Sequence, residues 1–239
     1  MKKEKDKFGN FVHEQRKKEE ELLNICQDIM KNSRNELAVS MHFLYGALSA
    51  LKVVPSSGTG NMGTDGKLLY VNPQWLINQF MEYKVPINRM YLHELFHCLF
   101  CHLWYRKERD IPIWDLAADI TVEYVLDELY EKAVYIRPCS FRREKYIQWK
   151  DQFSVFTAEA LYRILEKESE ATLKKLEQEF RKDDHHFWYS SENKKGLLSR
   201  QKQWEEMRRK MQTEIELFSK EAAGDSQGLM EHLQAENRK

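Results

Sequence analysis

Apolar positions along this chain recur mostly at intervals of three and four, the period of helices that bury one face. The first stripe, Leu22, Leu23, Cys26, Ile29 and Met30, predicts a helix over about 12–31 behind a solvated tail at 1–10. Ser33-Arg34-Asn35-Glu36 has the form of a capping box and predicts a second helix running to about Leu51. The stretch VVPSSGTGNMGTDG at 53–66 predicts loop or turn. Lys67 to Val71 reads as a short strand, and Asn72-Pro73 as an N-cap with proline at the first position of a helix over 73–83. Asn88 to Arg106 is apolar nearly all round, which predicts a buried helix. Ile111-Pro112 opens another, carrying IWDLAADITVEYVLDELY. Residues 133–156 look irregular, with one candidate strand at Val134-Tyr135-Ile136. Thr157 caps a helix that continues as a charged helical segment to about Lys182, and the sequence Asp183 to Trp188 breaks the period. A last amphipathic helix is expected over about 197–223, with LMEHLQAENRK trailing off after it.

This pattern predicts an α+β chain, predominantly α, with a small β-sheet. The expected division is a flexible tail (1–10), a core containing the buried helix (11–145), and a helical extension packed on that core (146–239). Composition narrows the function classes. Lys+Arg and Asp+Glu both number 38, so no net field draws the chain to nucleic acid or to an anionic membrane. The longest uncharged run, Leu37 to Leu51, is shorter than the roughly 20 residues of a membrane span. The charged N-terminus lacks an apolar signal-peptide region, and four cysteines are too few for a disulfide framework. A cytoplasmic protein with reduced thiols is expected.

The candidate chemistry lies in the buried helix, where His93-Glu94-Leu95-Phe96-His97 is an HExxH pattern. Two histidines one helical turn apart project from the same face and can share one zinc ion. Glu94 then falls beside the water that such an ion would hold, where it can act as general base. The same helix contains Cys98-Leu99-Phe100-Cys101-His102, a CxxCH pattern of the c-type haem kind or a mixed Cys/His zinc set. The simpler reading makes both cysteines small apolar residues of a buried helix.

A zinc held by two histidines of one helix needs a further ligand. Asp115, Asp119 and Glu123, four apart, form one stripe on the next helix. Asp119 is favoured, because Ala117 and Ala118 allow the close approach its short side chain requires; Asp115 and Glu123 are the alternatives. Asp183-Asp184-His185-His186 reads first as a solvated loop, and otherwise as a second metal site or a substrate-contacting pair. If it folds over the cleft, His185 could stabilise the oxyanion of a tetrahedral intermediate.

Thr64-Asp65-Gly66 with Tyr70-Val71-Asn72-Pro73, HELFH at 93–97, Trp114-Asp115-Leu116-Ala117-Ala118-Asp119, Asp183-Asp184-His185 with Trp188, and Ala222-Ala223-Gly224 together resemble a bacterial metallopeptidase-like domain family. Its members usually precede a von Willebrand A-like domain, whose metal-adhesion motif does not occur in these 239 residues. The resemblance implies a zincin-like core, Zn²⁺ as cofactor, a peptide or protein substrate, and an association with MoxR-type AAA+ ATPases. The family pattern has Asp at the position of Asp119 and Asn at those of Asp115 and Glu123. It therefore implies His93, His97 and Asp119 as ligands, with Asp115 and Glu123 supporting them from outside.

Overall fold

The computed structural model describes residues 2–153, 155–189, 194–218 and 227–237. Its elements in order are α1 (Lys2–Ser40), a 3-10 turn (His42–Leu44), α2 (Tyr45–Leu48), β1 (Lys52–Pro55), β2 (Met62–Thr64), β3 (Leu68–Val71), α3 (Pro73–Glu82), α4 (Val85–Leu99) and α5 (His102–Tyr105). There follow α6 (Ile111–Glu128), α7 (Ser140–Lys150), α8 (Ala158–Leu165), α9 (Glu170–Phe180), a 3-10 turn (His185–Tyr189), α10 (Lys194–Phe218) and α11 (Gln227–Asn237). The fold is α+β and predominantly helical, with one three-stranded sheet of order β1-β3-β2. β1 runs parallel to β3, and β2 antiparallel to it with Gly63 opposite Tyr70.

The sheet holds the first correction, since two of its strands arise from the stretch expected to be loop. Backbone pairing to β3 overrides the low strand propensity of a Gly- and Ser-rich segment. The β2–β3 turn is closed by Asp65, whose Oδ1 accepts from the backbone N–H groups of Lys67 and Leu68 at 2.8 Å each. Gly66 follows at φ +82°, a conformation that disfavours a side chain, and a Cβ there would meet Trp104 at 2.8 Å.

Helix α1 continues through the expected restart at Ser33. Ser33 Oγ donates to Asn88 Oδ1 on α4 at 2.6 Å and is spent on a tertiary contact, not a cap. Cys26, Ile29, Met30, Leu37 and Met41 keep a helical stripe buried across the junction. The Asn72 and Thr157 caps do form: Asn72 Oδ1 accepts from Gln74 and Trp75, and Thr157 Oγ1 from Ala160.

Further expectations are corrected. The HExxH helix stops at Leu99, because Cys101 adopts a left-handed backbone (φ 61°) before α5 resumes. The region expected to be irregular forms α7, capped by the Cys139 thiol, with Arg142, Tyr146 and Trp149 buried on one face; no strand forms at 134–136. The charged segment after α8 breaks at 166–169, where Ser169 caps α9. LMEHLQAENRK does not trail off within the described residues, because α11 buries Leu229 and Leu233 in the main core. Ala222-Ala223-Gly224 lies outside the described residues.

Helix α6 is the element between two apolar clusters. Val122, Val125 and Leu126 join the main core with α1, the sheet, α4 and α10. Leu116, Ala117 and Ile120 face the opposite way, onto Tyr146, Trp149, Phe156, Leu161, Leu165, Leu176 and Phe180. A helix covered on both sides still carries Asp115, Asp119, Glu123 and Asp127, all buried. Burying four acids on one helix is costly unless each finds a partner. No helix among the described residues is long and apolar enough to cross a membrane.

Candidate metal centre

The carboxylates of α6 find their partners mainly on α4. His93 and His97, one turn apart on α4, aim at one point, with their Nε2 atoms 2.8 Å apart. Asp119 Oδ1 lies 3.4 Å from His93 Nε2 and 3.3 Å from His97 Nε2. Asp183, from the segment after α9, brings its carboxylate 3.6 Å from His93 Nε2 and 3.9 Å from His97 Nε2. One ligand atom from each of these four residues lies within 4.8 Å of the others.

The donor set fits a divalent cation. A tetrahedral ion held at about 2.0–2.2 Å has donors about 3.3–3.6 Å apart, close to most of these separations. Both carboxylate oxygens of Glu94, Asp119 and Asp183 are buried and make no hydrogen bond. Three carboxyl groups buried this close together favour a positive charge among them. Side-chain burial is complete or nearly so for all five residues, including both histidines.

Each histidine is held from behind. His93 Nδ1 lies 2.9 Å from Glu123 Oε1, so with Nε2 facing the centre the ring donates its Nδ1–H to that carboxylate. His97 Nδ1 lies 3.0 Å from His102 Nδ1, the corresponding support. The left-handed turn at Cys101 re-aims the chain so that His102 can reach His97. Glu123 is itself clamped: its Oε2 accepts from Arg89 and Arg142, each at 2.7 Å, and both guanidinium groups also hold Asp127.

These surroundings set the protonation preferences of the protein without a metal. Burial, then the adjacent Asp183 charge, pushes the Glu94 carboxyl well above the usual range. Burial lowers His97 to about 4. Burial also opposes charge on His93, but the carboxylates of Asp183, Asp119 and Glu123 outweigh it and raise its pKa. For Glu123 burial is outweighed by Arg89, His93 and Arg142, so it stays ionised.

Glu123→Ala is therefore expected to take one of two shared carboxylates from a pair of buried guanidinium groups, leaving Asp127 between both, and to cost about 3–5 kcal/mol. In a chain of this length that corresponds to a fall of roughly 6–20 °C in Tm. Thermal denaturation measures it, and a change below about 1 kcal/mol would contradict the clamp.

The segment 183–189 is the largest departure from the sequence-based expectation. The solvated-loop reading holds only for His186, which is exposed and pairs with Asp184. Asp183 and His185 are buried. His185 Nε2 lies 3.0 Å from Asp119 and 2.8 Å from Asp183, and its Nδ1 lies 3.5 Å from Asp115. Trp188 stacks on the His185 ring at 3.7 Å and meets the His97 ring edge-on at 4.8 Å. Asp115 is not beside the two α4 histidines; it accepts a hydrogen bond from Tyr189 Oη and holds this segment.

Among the candidate residues, then, the structure brings together His93, Glu94, His97, Asp119 and His185, and it places Asp115 and Glu123 outside the group. Sequence reasoning offered Asp183 for a second metal site and did not place it in this one, and it missed the support from His102 and the Arg89–Arg142 clamp. The available signal for Asp183 was an acid in a motif flanked by Phe187 and Trp188, two large apolar residues that a solvated loop does not require. Cys98 and Cys101 are fully buried, which leaves no surface for haem attachment.

Comparison with known proteins agrees with this geometry. Searches of curated proteins and of solved structures give no match. A family model described as "Putative metallopeptidase domain" matches residues 19–238, a span that contains every residue of the cluster. On that match the chain belongs to the family so described.

Proposed function

We propose that this protein is a zinc-dependent peptidase built on a zincin-like core, with His93, His97 and Asp119 as permanent ligands. The observation that carries the reading is the convergence of these three residues beside a buried Glu94 carboxylate that makes no hydrogen bond. Bound there, Zn²⁺ would polarise a scissile carbonyl and lower the pKa of water toward about 7.

The remaining work belongs to this chain. Glu94 follows His93 directly, so its carboxylate leaves α4 beside the two imidazoles. It accepts a proton from the attacking water and returns it to the leaving amine. Glu123 and His102 keep the Nε2 lone pairs of His93 and His97 directed inward by accepting the Nδ1 protons. His185 acts as the charge partner of Asp119 in the arrangement seen here. In that arrangement Nε2 faces Asp119 and Asp183, and the role toward an oxyanion expected of it is not open to it.

Elemental analysis and a cleavage assay test this together. After zinc supplementation about one equivalent of metal is expected; less than about a tenth would sink the reading. Degradation of an unfolded protein such as casein should cease on chelation and return with zinc. Zinc at about 1,000 times its Kd should stabilise the metal-free chain by about 4 kcal/mol, or roughly 8–16 °C in Tm. Failure of zinc to raise Tm would show that the buried carboxylates are balanced some other way.

One observation favours a second reading. The four-donor set is closed and buried, as in structural sites. On that reading the chain is a zinc-containing but latent module that works with a AAA+ ATPase and a von Willebrand A-like partner. Binding of such partners unaffected by Glu94→Gln would support it.

A further inference from the structure

The segment that completes the metal centre is also the one that covers it. Zinc sites that do chemistry keep a position open for water, whereas here the fourth position of the proposed ligand set faces the Asp183 carboxylate. No water-sized sphere reaches His93, Glu94, His97 or Asp119, each 0 % exposed.

The contacts of the segment show how it is seated. β2 is an edge strand of the sheet, the kind of surface on which an extended peptide adds as a further strand. The segment 183–189 packs on the face of β2 beside that edge, the face to which Gly63 and its cross-strand partner Tyr70 both point. A Cβ built on Gly63, the middle residue of β2, would lie 2.8 Å from the Asp184 carbonyl oxygen and 2.6 Å from the Phe187 ring. The Phe187 ring stacks on Tyr70 of β3, centroids 4.0 Å apart and planes within 7°. Asn61, just before β2, donates its side-chain N–H to the Lys182 carbonyl. At the far end Tyr189 is hydrogen-bonded to Asp115. Only a glycine at position 63 lets the backbone approach this closely.

We infer that Asp183–Tyr189 is a built-in blocking segment: seated on the face of β2 beside the edge where a substrate peptide would pair, it places the Asp183 carboxylate where water must bind. Activation consists of withdrawing Asp183, by a competing peptide on β2 or by a partner that pulls on the segment. No bond is made or broken in that step; one ligand is exchanged for water. The inference rests on the metallopeptidase reading and explains how a four-donor site can belong to a peptidase.

Cobalt substitution with acetohydroxamate, a small chelating anion, tests it. Co²⁺ accepts the same nitrogen and oxygen donors and reports its coordination in its visible absorption. In wild-type protein the cobalt spectrum should be unmoved by millimolar acetohydroxamate. Asp183→Ala should retain cobalt and respond. Gly63→Ala keeps every ligand, but its methyl cannot coexist with the Asp184 carbonyl. It should respond at a concentration at least about tenfold lower than wild type, the factor gained when a closed state populated about ten to one is abolished. Casein cleavage should rise about tenfold in the same variant.

The inference is overturned if wild-type protein responds as strongly as the variants, if Gly63→Ala matches wild type, or if Asp183→Ala loses cobalt as completely as Asp119→Ala. The last result would make Asp183 a permanent ligand. If wild-type protein takes up no cobalt, the metal reading falls and the blocking segment with it. If cobalt binds and only the hydroxamate responses fail, the blocking segment alone is wrong.

Discussion

Glu94→Gln is expected to keep its full complement of zinc and to lose peptide cleavage by roughly 10²–10⁴-fold, the contribution of a positioned general base. The fold should tolerate the change. Glu94 is buried without a hydrogen bond, and burial beside Asp183 already favours its neutral, protonated form in the metal-free chain. A glutamine has nearly the same shape, carries no charge to desolvate, and can donate an N–H to Asp183. Metal affinity should change little, because Glu94 is not among the four residues whose ligand atoms converge. The measurement pairs metal content with casein degradation, in both the wild-type and Gly63→Ala backgrounds so that a covered site does not hide the effect. Undiminished cleavage by Glu94→Gln would remove Glu94 from the mechanism. Loss of zinc in that variant would instead show that Glu94 is itself a ligand.

Asp119→Ala is expected to have the largest effect on metal binding of any change on α6. If four ligands share an apparent binding free energy of about 10–16 kcal/mol, losing one costs about 2.5–4 kcal/mol, or roughly 10²–10³-fold in Kd. Asp119 Oδ1 reaches both imidazoles within 3.4 Å. Asp115 points instead to Tyr189 and His185, and Glu123 to the back of His93. Their alanine variants should weaken binding by about 10–100-fold at most, through misaligned ligands. Competitive chelator titration ranks the three directly. If Asp115→Ala loses the metal and Asp119→Ala keeps it, the assignment is wrong by one helical turn.

Asp119 also shows what could be read before any coordinates. Two alanines before it promised a close approach to the metal helix. Both are fully buried, but Ala117 faces α7, α8 and α9 and Ala118 packs with Trp114, Ala158 and Trp188, so Asp119 reaches the histidines for another reason. A fixed period of 3.6 residues per turn was enough to put His93 with His97 on one face, and Asp115, Asp119 and Glu123 on another. The period could not say which carboxylate faced the histidines, because that depends on how α6 is rotated about its own axis against α4. Apolar neighbours on both sides of α6 set that rotation, and they come from α7, α8 and α9 as much as from the main core.

Charge misled the reading in two places. Residues 140–150 belong to the stretch expected to be irregular, and SFRREKYIQWK is highly polar, yet it forms α7 with Arg142 drawn inward by Glu123, Asp127 and Glu179. Asp183 looks like a loop acid, yet it is buried against His93 and His185. In both cases a residue that is ordinarily exposed is buried because its counter-charge, far away in sequence, is already inside. Local propensity has no access to that pairing.

The division follows from the range of the forces. Helix periods, the Asn72 and Thr157 caps and the HExxH spacing are local, set by backbone geometry over a few residues, and the sequence alone determined them. The rotation of α6, the recruitment of Glu123 behind His93, and the seating of the Asp183–Tyr189 segment against Gly63 depend on contacts dozens of residues apart. Only the tertiary structure decided those, because each exists only once burial has made an unpaired charge too costly to leave alone.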